Sequence, residues 1–218
     1  MFGAQAIMTG DAEIVVAGGM ESMSAVPFAM PSGLRCPNRG LRYGNAQVTD
    51  LLAWDGLTDP FYTLPMGEAA ERIAEKYNFT RDQMDDYAKT SFERAIAAEE
   101  TFKAHEIVPV KGAAANTLVL NDDGPGTFKP DKIATLRTPF RAETGRVTAA
   151  TSSQLTDGAA ALLLMSESEM KRIGIVNPLA KIVASADYSL PDPMDFPIAP
   201  IGAIKAALER ASMDCQSI

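Results

Sequence analysis

Ala159-Ala160-Ala161-Leu162-Leu163-Leu164-Met165 is a run of seven apolar residues with no polar break. Bounded by Asp157-Gly158 and by Ser166-Glu167-Ser168-Glu169, it reads as a strand buried on both faces. A second apolar segment, Val15-Val16-Ala17, runs into Gly18-Gly19. That pair reads as a turn ending another buried strand, because glycine supplies the backbone freedom a sharp turn needs.

Around these strands the local signals are ordinary punctuation. The start, Met1 to Met8, lacks the basic segment of a signal peptide and reads as part of a helix, with Gly10 ending it. Residues 28–65 change character: Pro31, Pro37 and Pro60, with Gly33, Gly40, Gly44 and Gly56, mark a long irregular excursion. It is either a functional loop or a linker, and Leu51, Leu52, Trp54, Leu57, Phe61 and Tyr62 give it an apolar side that can pack. A helix is expected over residues 66–77, with Ala70, Ile73, Ala74 and Tyr77 on one face. A capping box at Thr80-Arg81-Asp82-Gln83 predicts a second helix to about residue 102, burying Met84, Tyr87, Ala88, Ser91, Phe92 and Ala95. Residues 107–110 and 146–150 read as strands, 121–126 as a turn and 131–136 as a short helix. Ser166 to Glu169 forms another capping box, opening a helix that Gly174 ends. A strand over 179–184 and an amphipathic helix over 200–211 complete the pass.

Several function classes fall away. The net charge is −8, and no Lys/Arg cluster is dense enough to follow a phosphate backbone, so nucleic acid is not an expected partner. No apolar run approaches the roughly 20 residues of a membrane span. Two cysteines, Cys36 and Cys215, are too few and too far apart for a disulfide framework or a CxxC site. The single histidine, His105, precedes Glu106, but the HExxH zinc pattern does not follow, and no metal is expected. Gly124-Pro125-Gly126 lacks the strand–helix context of a dinucleotide fingerprint. Cys36 has Arg35 and Arg39 as cationic neighbours, yet its Pro-rich setting reads as an ordinary loop. Met20, Met23, Met30, Met66 and Met84 fill a core or line an acyl chain; composition alone leaves both open.

Longer motifs carry a family resemblance. Gly145-Arg146-Val147-Thr148-Ala149-Ala150-Thr151-Ser152-Ser153-Gln154-Leu155-Thr156-Asp157-Gly158-Ala159-Ala160 is similar to the GTVTAGxSSxxxDGAA segment of the thiolase family. Thr80 to Ala88, with Ser91 and Ala95, resembles that family's [ST]RxxxDxYAxxS helix, and Glu106-Ile107-Val108-Pro109 the strand after it. Pro65-Met66-Gly67 with Glu71 resembles the opening of the family's loop-domain helix, and the Val15 to Ser24 stretch its strand-end signature. The Pro-Met-Gly and Thr-Ser-Ser-Gln versions look more like degradative 3-ketoacyl-CoA thiolases than biosynthetic ones.

The resemblance implies a partial thiolase-like α/β fold with an inserted, mainly helical α+β loop domain. Residues 1–27 would end the N-terminal αβ half, 28–145 would form the coenzyme A-binding loop domain, 146–175 would return to that half, and 176–218 would start the C-terminal half. It also implies acyl transfer between a cysteine thiolate and coenzyme A, with 3-ketoacyl-CoA thiolysis or acetyl-CoA condensation as the overall reaction. The family's nucleophilic Cys, its Asn-Glu-Ala-Phe and His-Pro motifs and its second Cys would flank this sequence, so no catalytic residue is assigned and the chain alone is expected to be inactive. By motif position Leu57, Met66, Phe140, Ala149, Ser153 and Leu155 correspond to coenzyme A pocket residues, with Ser153 hydrogen-bonding the pantetheine chain. For the apolar five the alternative is core packing; for Ser153 it is a helix cap. Pro125-Gly126 stands where many members carry an Arg that contacts the nucleotide end, so that contact is not carried over. The implied partners are acyl-CoA and either further copies of the chain or a complementing thiolase chain. The implied location is the cytoplasm, or the mitochondrial matrix or peroxisome in a eukaryote.

Overall fold

The computed structural model describes residues 1–30, 45–112 and 117–218. They fall into two compact units, Met1–Pro65 with Leu155–Ile218, and Met66–Gln154. Cys36 lies outside the described residues. In chain order the first stretch carries α1 (Phe2–Met8), β1 (Ile14–Ser22), a 3-10 turn at Met23–Ala25, β2 (Phe28–Ala29), β3 (Thr49–Asp50), a π-helical turn at Leu52–Gly56, β4 (Thr58–Asp59) and β5 (Leu64–Pro65). The second unit holds α2 (Met66–Lys76), α3 (Arg81–His105), β6 (Val110–Lys111), β7 (Leu118–Val119) and the one-turn helices α4 (Asp123–Gly126) and α5 (Pro130–Ile133). The chain then returns to the first with β8 (Asp157–Met165), α6 (Glu167–Arg172), a 3-10 segment at Pro193–Ile198 and α7 (Ala199–Ala211).

The first unit is organised by an antiparallel ladder of β1 with β8, from Ile14 opposite Met165 to Ser22 opposite Asp157. Two expectations are corrected here. The Gly18-Gly19 pair lies inside β1 and does not end it, and Asp157-Gly158 belongs to β8. Gly18 is there for close approach: a Cβ on it would sit 2.5 Å from the Ala160 carbonyl oxygen. The expected double burial of Ala159 to Met165 is also not found. Helix α1 covers one face, with Gly3 against Leu164, Val15 and Ala17. On the other face Val16 and Leu163, opposite each other in the ladder, are 73% and 60% exposed. Among the described residues nothing covers them. The expected strand over 179–184 likewise runs without a ladder partner among the described residues.

Asp157 closes this ladder. Its carboxylate accepts from the Ser24 amide at 2.9 Å and the Ser24 hydroxyl at 2.5 Å. Those two bonds hold its carboxyl below the usual Asp range. A folded pKa lower than the unfolded one gives stability that is present above the ordinary Asp pKa, about 4, and lost as pH falls through the folded value. Urea midpoints measured from pH 5 down to pH 2 should therefore fall more steeply for the natural chain than for D157N. Parallel curves would show that Asp157 contributes nothing.

Helix ends follow the local chemistry. Gly10 and Gly174 each adopt φ +80 just beyond α1 and α6, the left-handed stop that suits glycine. Ser166 accepts from the Glu169 amide at 3.1 Å, and Thr80 and Gln83 complete both bonds of a capping box.

In the second unit α2 buries Ala69, Ile73 and Ala74, and α3 buries Ala88. Met84 and Phe92 continue that stripe, and Phe92 stacks on Phe128 at 4.9 Å. Tyr87, Ser91 and Ala95 are exposed, contrary to expectation, because the contacted face follows Arg81, Met84, Ala88 and Phe92 at helical spacing. Arg81 joins α3 to α5 by donating to the Ile133 carbonyl at 2.8 Å.

Candidate functional site

The chemistry of the second unit centres on one face of α2, where Glu68, Glu71 and Glu75 project at helical spacing. Glu71 is wholly buried, at 0% exposure. A carboxylate in that position is costly unless its oxygens are satisfied. Arg146 donates its backbone N–H to both oxygens, at 2.8 and 2.9 Å, and Val147 donates to Oε1 at 2.8 Å. The expected strand over 146–150 is therefore absent: side-chain acceptors take the amides a ladder would have used.

Downstream the segment folds on itself. Thr148 donates its amide to the Thr151 hydroxyl at 2.8 Å, Ala150 donates to the Thr148 hydroxyl at 3.2 Å, and the Ser152 hydroxyl donates to the Thr148 carbonyl at 2.8 Å. Thr148 is buried and Ala149 and Ser153 are left on the surface. No helix follows Ser153, which removes its reading as a cap, and its hydroxyl has no hydrogen-bond partner among the described residues.

Upstream, Arg141 spans two carboxylates of α2. Its Nε and Nη2 donate to Glu68 at 2.8 and 2.5 Å, and its Nη1 donates to Glu75 at 2.9 Å. Glu68 first, then Glu75, holds the guanidinium above its ordinary range, so Arg141 is a permanent cation. The neighbouring Phe140 ring lies on the backbone of α2 at Gly67; a Cβ there would stand 2.1 Å from two ring carbons. Only glycine permits that contact.

These contacts place the sequence candidates. Met66 opens α2 and is 41% exposed, with half-buried Phe140 on the adjoining Gly67. Ala149 and Ser153 hang from the turn that Glu71 anchors. Leu57 and Leu155 belong to the first unit. Leu57 is half-buried after the π-helical turn, beside a cleft of about 210 Å³ lined by Trp54, Asp55, Thr58, Asp59, Pro60 and Thr63. Leu155 is exposed just before β8. Sequence reasoning missed Glu68, Glu71 and Arg141 as members of this arrangement; the available signal was three carboxylates sharing a face with buried Ala and Ile. Among the described residues no group of His, Cys, Asp and Glu is placed to hold a metal ion, and no helix is long and apolar enough to cross a membrane.

Residues 1–168 match the family model described as the N-terminal domain of thiolase. The chain belongs to the thiolase family. Its relatives include the mitochondrial acetyl-CoA acetyltransferase of Macaca fascicularis, 42% identical over 224 residues, covering 100% of this chain and 50% of the relative. The acetyl-CoA acetyltransferase of Schizosaccharomyces pombe is 43% identical over 225 residues, covering 100% and 55%. The crystal structure of a thiolase from Ascaris suum in complex with coenzyme A superposes with a TM-score of 0.87 at 37% identity, covering 100% of this chain and 54% of that one. This thiolase chain thus spans about half the length of the relatives it matches. Its mixed helices and strands are a partial thiolase-like fold, as the motifs implied.

Proposed function

We propose that this thiolase chain binds coenzyme A and its thioesters, and that it serves a protein catalysing acyl transfer to or from coenzyme A, as 3-ketoacyl-CoA thiolysis or acetyl-CoA condensation. Residues 28–145 act as the loop domain that grips the ligand. Met66 and Phe140 supply an apolar wall for the pantetheine chain, and Ala149 leaves room beside it. Ser153 donates a hydrogen bond to a pantetheine amide. The observation that carries this reading is the free, exposed Ser153 hydroxyl on a turn fixed by a buried carboxylate, in a chain matching a coenzyme A-complexed thiolase at TM-score 0.87. S153A should weaken coenzyme A binding about fivefold, the worth of one hydrogen bond near 1 kcal/mol. Equal affinity would remove Ser153 from the site.

Acyl transfer also needs a thiolate nucleophile and proton carriers. His105 closes α3 and Cys215 is an exposed thiol in a short 3-10 turn, and neither stands in one of the catalytic motifs that the family resemblance implies. The chain alone should therefore release no acetyl-CoA from acetoacetyl-CoA and coenzyme A in a spectrophotometric assay. Turnover above the uncatalysed rate would refute that.

A second reading has its own support. The apolar face of β1 and β8, with Val16, Met20 and Leu163 in water, is a surface built to be covered. It fits a subunit completed by another thiolase chain that carries the reacting groups, or by further copies of itself. Co-purification with such a chain, or a concentration-dependent mass in solution, would favour it; a monodisperse monomer would count against it. In a eukaryotic source the mitochondrial matrix suits the activity, in line with the mitochondrial relative, and imaging of a tagged chain against a matrix marker tests this.

A further inference from the structure

We infer that Glu71 is a positioning residue for the coenzyme A site, acting through the backbone of residues 146–153; this rests on the coenzyme A reading above. Four observations converge on it. Its carboxylate is fully buried, in a helix whose other glutamates reach the surface or pair with Arg141. It accepts three hydrogen bonds within 2.9 Å, all from the main chain of Arg146 and Val147. Those amides have no ladder partner among the described residues, so the carboxylate takes the place of a neighbouring strand in holding the chain there. The turn that follows, closed through Thr148, Thr151 and Ser152, carries Ala149 and Ser153.

Oε1 accepts from both adjacent amides and Oε2 shares the Arg146 amide, so both oxygens of the carboxyl group act as acceptors here. The same helix turn starts at Met66 and Gly67, on which Phe140 rests, and Arg141 ties the next residue back to Glu68. Glu71 therefore sets the spacing between the apolar wall and the hydroxyl-bearing turn. Its role is not packing alone: a neutral amide of the same shape would fill the same volume yet present an N–H₂ to the Arg146 amide.

The test compares the natural chain with E71Q and E71A, reading coenzyme A affinity by calorimetry and amide exchange by mass spectrometry. E71Q should stay folded, as judged by unchanged protection of α3. It should lose protection confined to residues 146–153 and bind coenzyme A about tenfold more weakly, with E71A weaker still. Natural affinity and natural protection in E71Q would overturn the inference and leave the coenzyme A reading standing. A natural chain that binds no coenzyme A would overturn that reading, and with it the role assigned to Glu71 at the site. The exchange data would then decide the anchor separately: loss at 146–153 in E71Q upholds it, and unchanged exchange overturns it.

Discussion

Replacing Glu71 with Ala should destabilise the second unit by about 3 kcal/mol. The substitution strips the acceptor from the Arg146 and Val147 amides, which lie in a buried setting with Val147 and Thr148 both inaccessible. An amide left unpaired away from water costs about 1–3 kcal/mol. Two of them, plus the space vacated by four side-chain heavy atoms, would reach about 6 kcal/mol. Against that, the buried carboxylate no longer suffers its own desolvation, and some water will enter the opened site. The balance is nearer the lower figure. The readout is the urea midpoint with its slope unchanged, which separates a loss of stability from a change in compactness. A shift under about 0.5 kcal/mol, the size of an ordinary surface substitution, would show that the anchor carries no load.

Gly145→Ala should cost about 2–3 kcal/mol by a different route. A Cβ there would lie 2.3 Å from the Arg141 carbonyl oxygen, 2.7 Å from the Thr138 Cβ and 2.9 Å from Glu71 Oε1. The first of these is main chain, and it is already held by the Thr138 hydroxyl at 2.8 Å and the Gly145 amide at 3.0 Å. It cannot yield without opening the turn. Overpacking of this kind costs about 1–3 kcal/mol or more, offset by up to about 1 kcal/mol from a stiffer unfolded chain. Gly145 and Glu71 touch the same turn, so G145A combined with E71A should cost less than the two added together. Thermal or urea unfolding of the three variants measures this, and strict additivity would show that the two sites act independently.

What the sequence made legible was chiefly what neighbours along the chain decide. The box at Thr80, the cap at Ser166 and the stops at Gly10 and Gly174 are settled within one or two helical turns and are found where the residues placed them, although at Ser166 the return bond of a full box is missing because its amide donates to the Glu13 carbonyl. The thiolase motifs were also legible, since they are written in contiguous residues, and the family match follows them. Three features were not. Gly18-Gly19 looks like a turn until β8 is opposite it, when the need is seen to be clearance for Ala160. Residues 146–150 alternate like a strand, but the acceptor that claims their amides comes from about 75 residues away. Ala159 to Met165 has the composition of a strand covered on both sides, and composition cannot say what does the covering. The candidate site shows the same division. Met66, Ala149 and Ser153 stand in the quoted motifs, whereas the anchoring part of Glu71 and that of Arg141 show only through bonds that span the second unit.

Titrating coenzyme A into the purified chain is the most direct test of the coenzyme A reading. Saturable heat fitting one site per chain, diminished in S153A and further in E71A, is the predicted result. A folded chain that gives no saturable heat would contradict the proposed site.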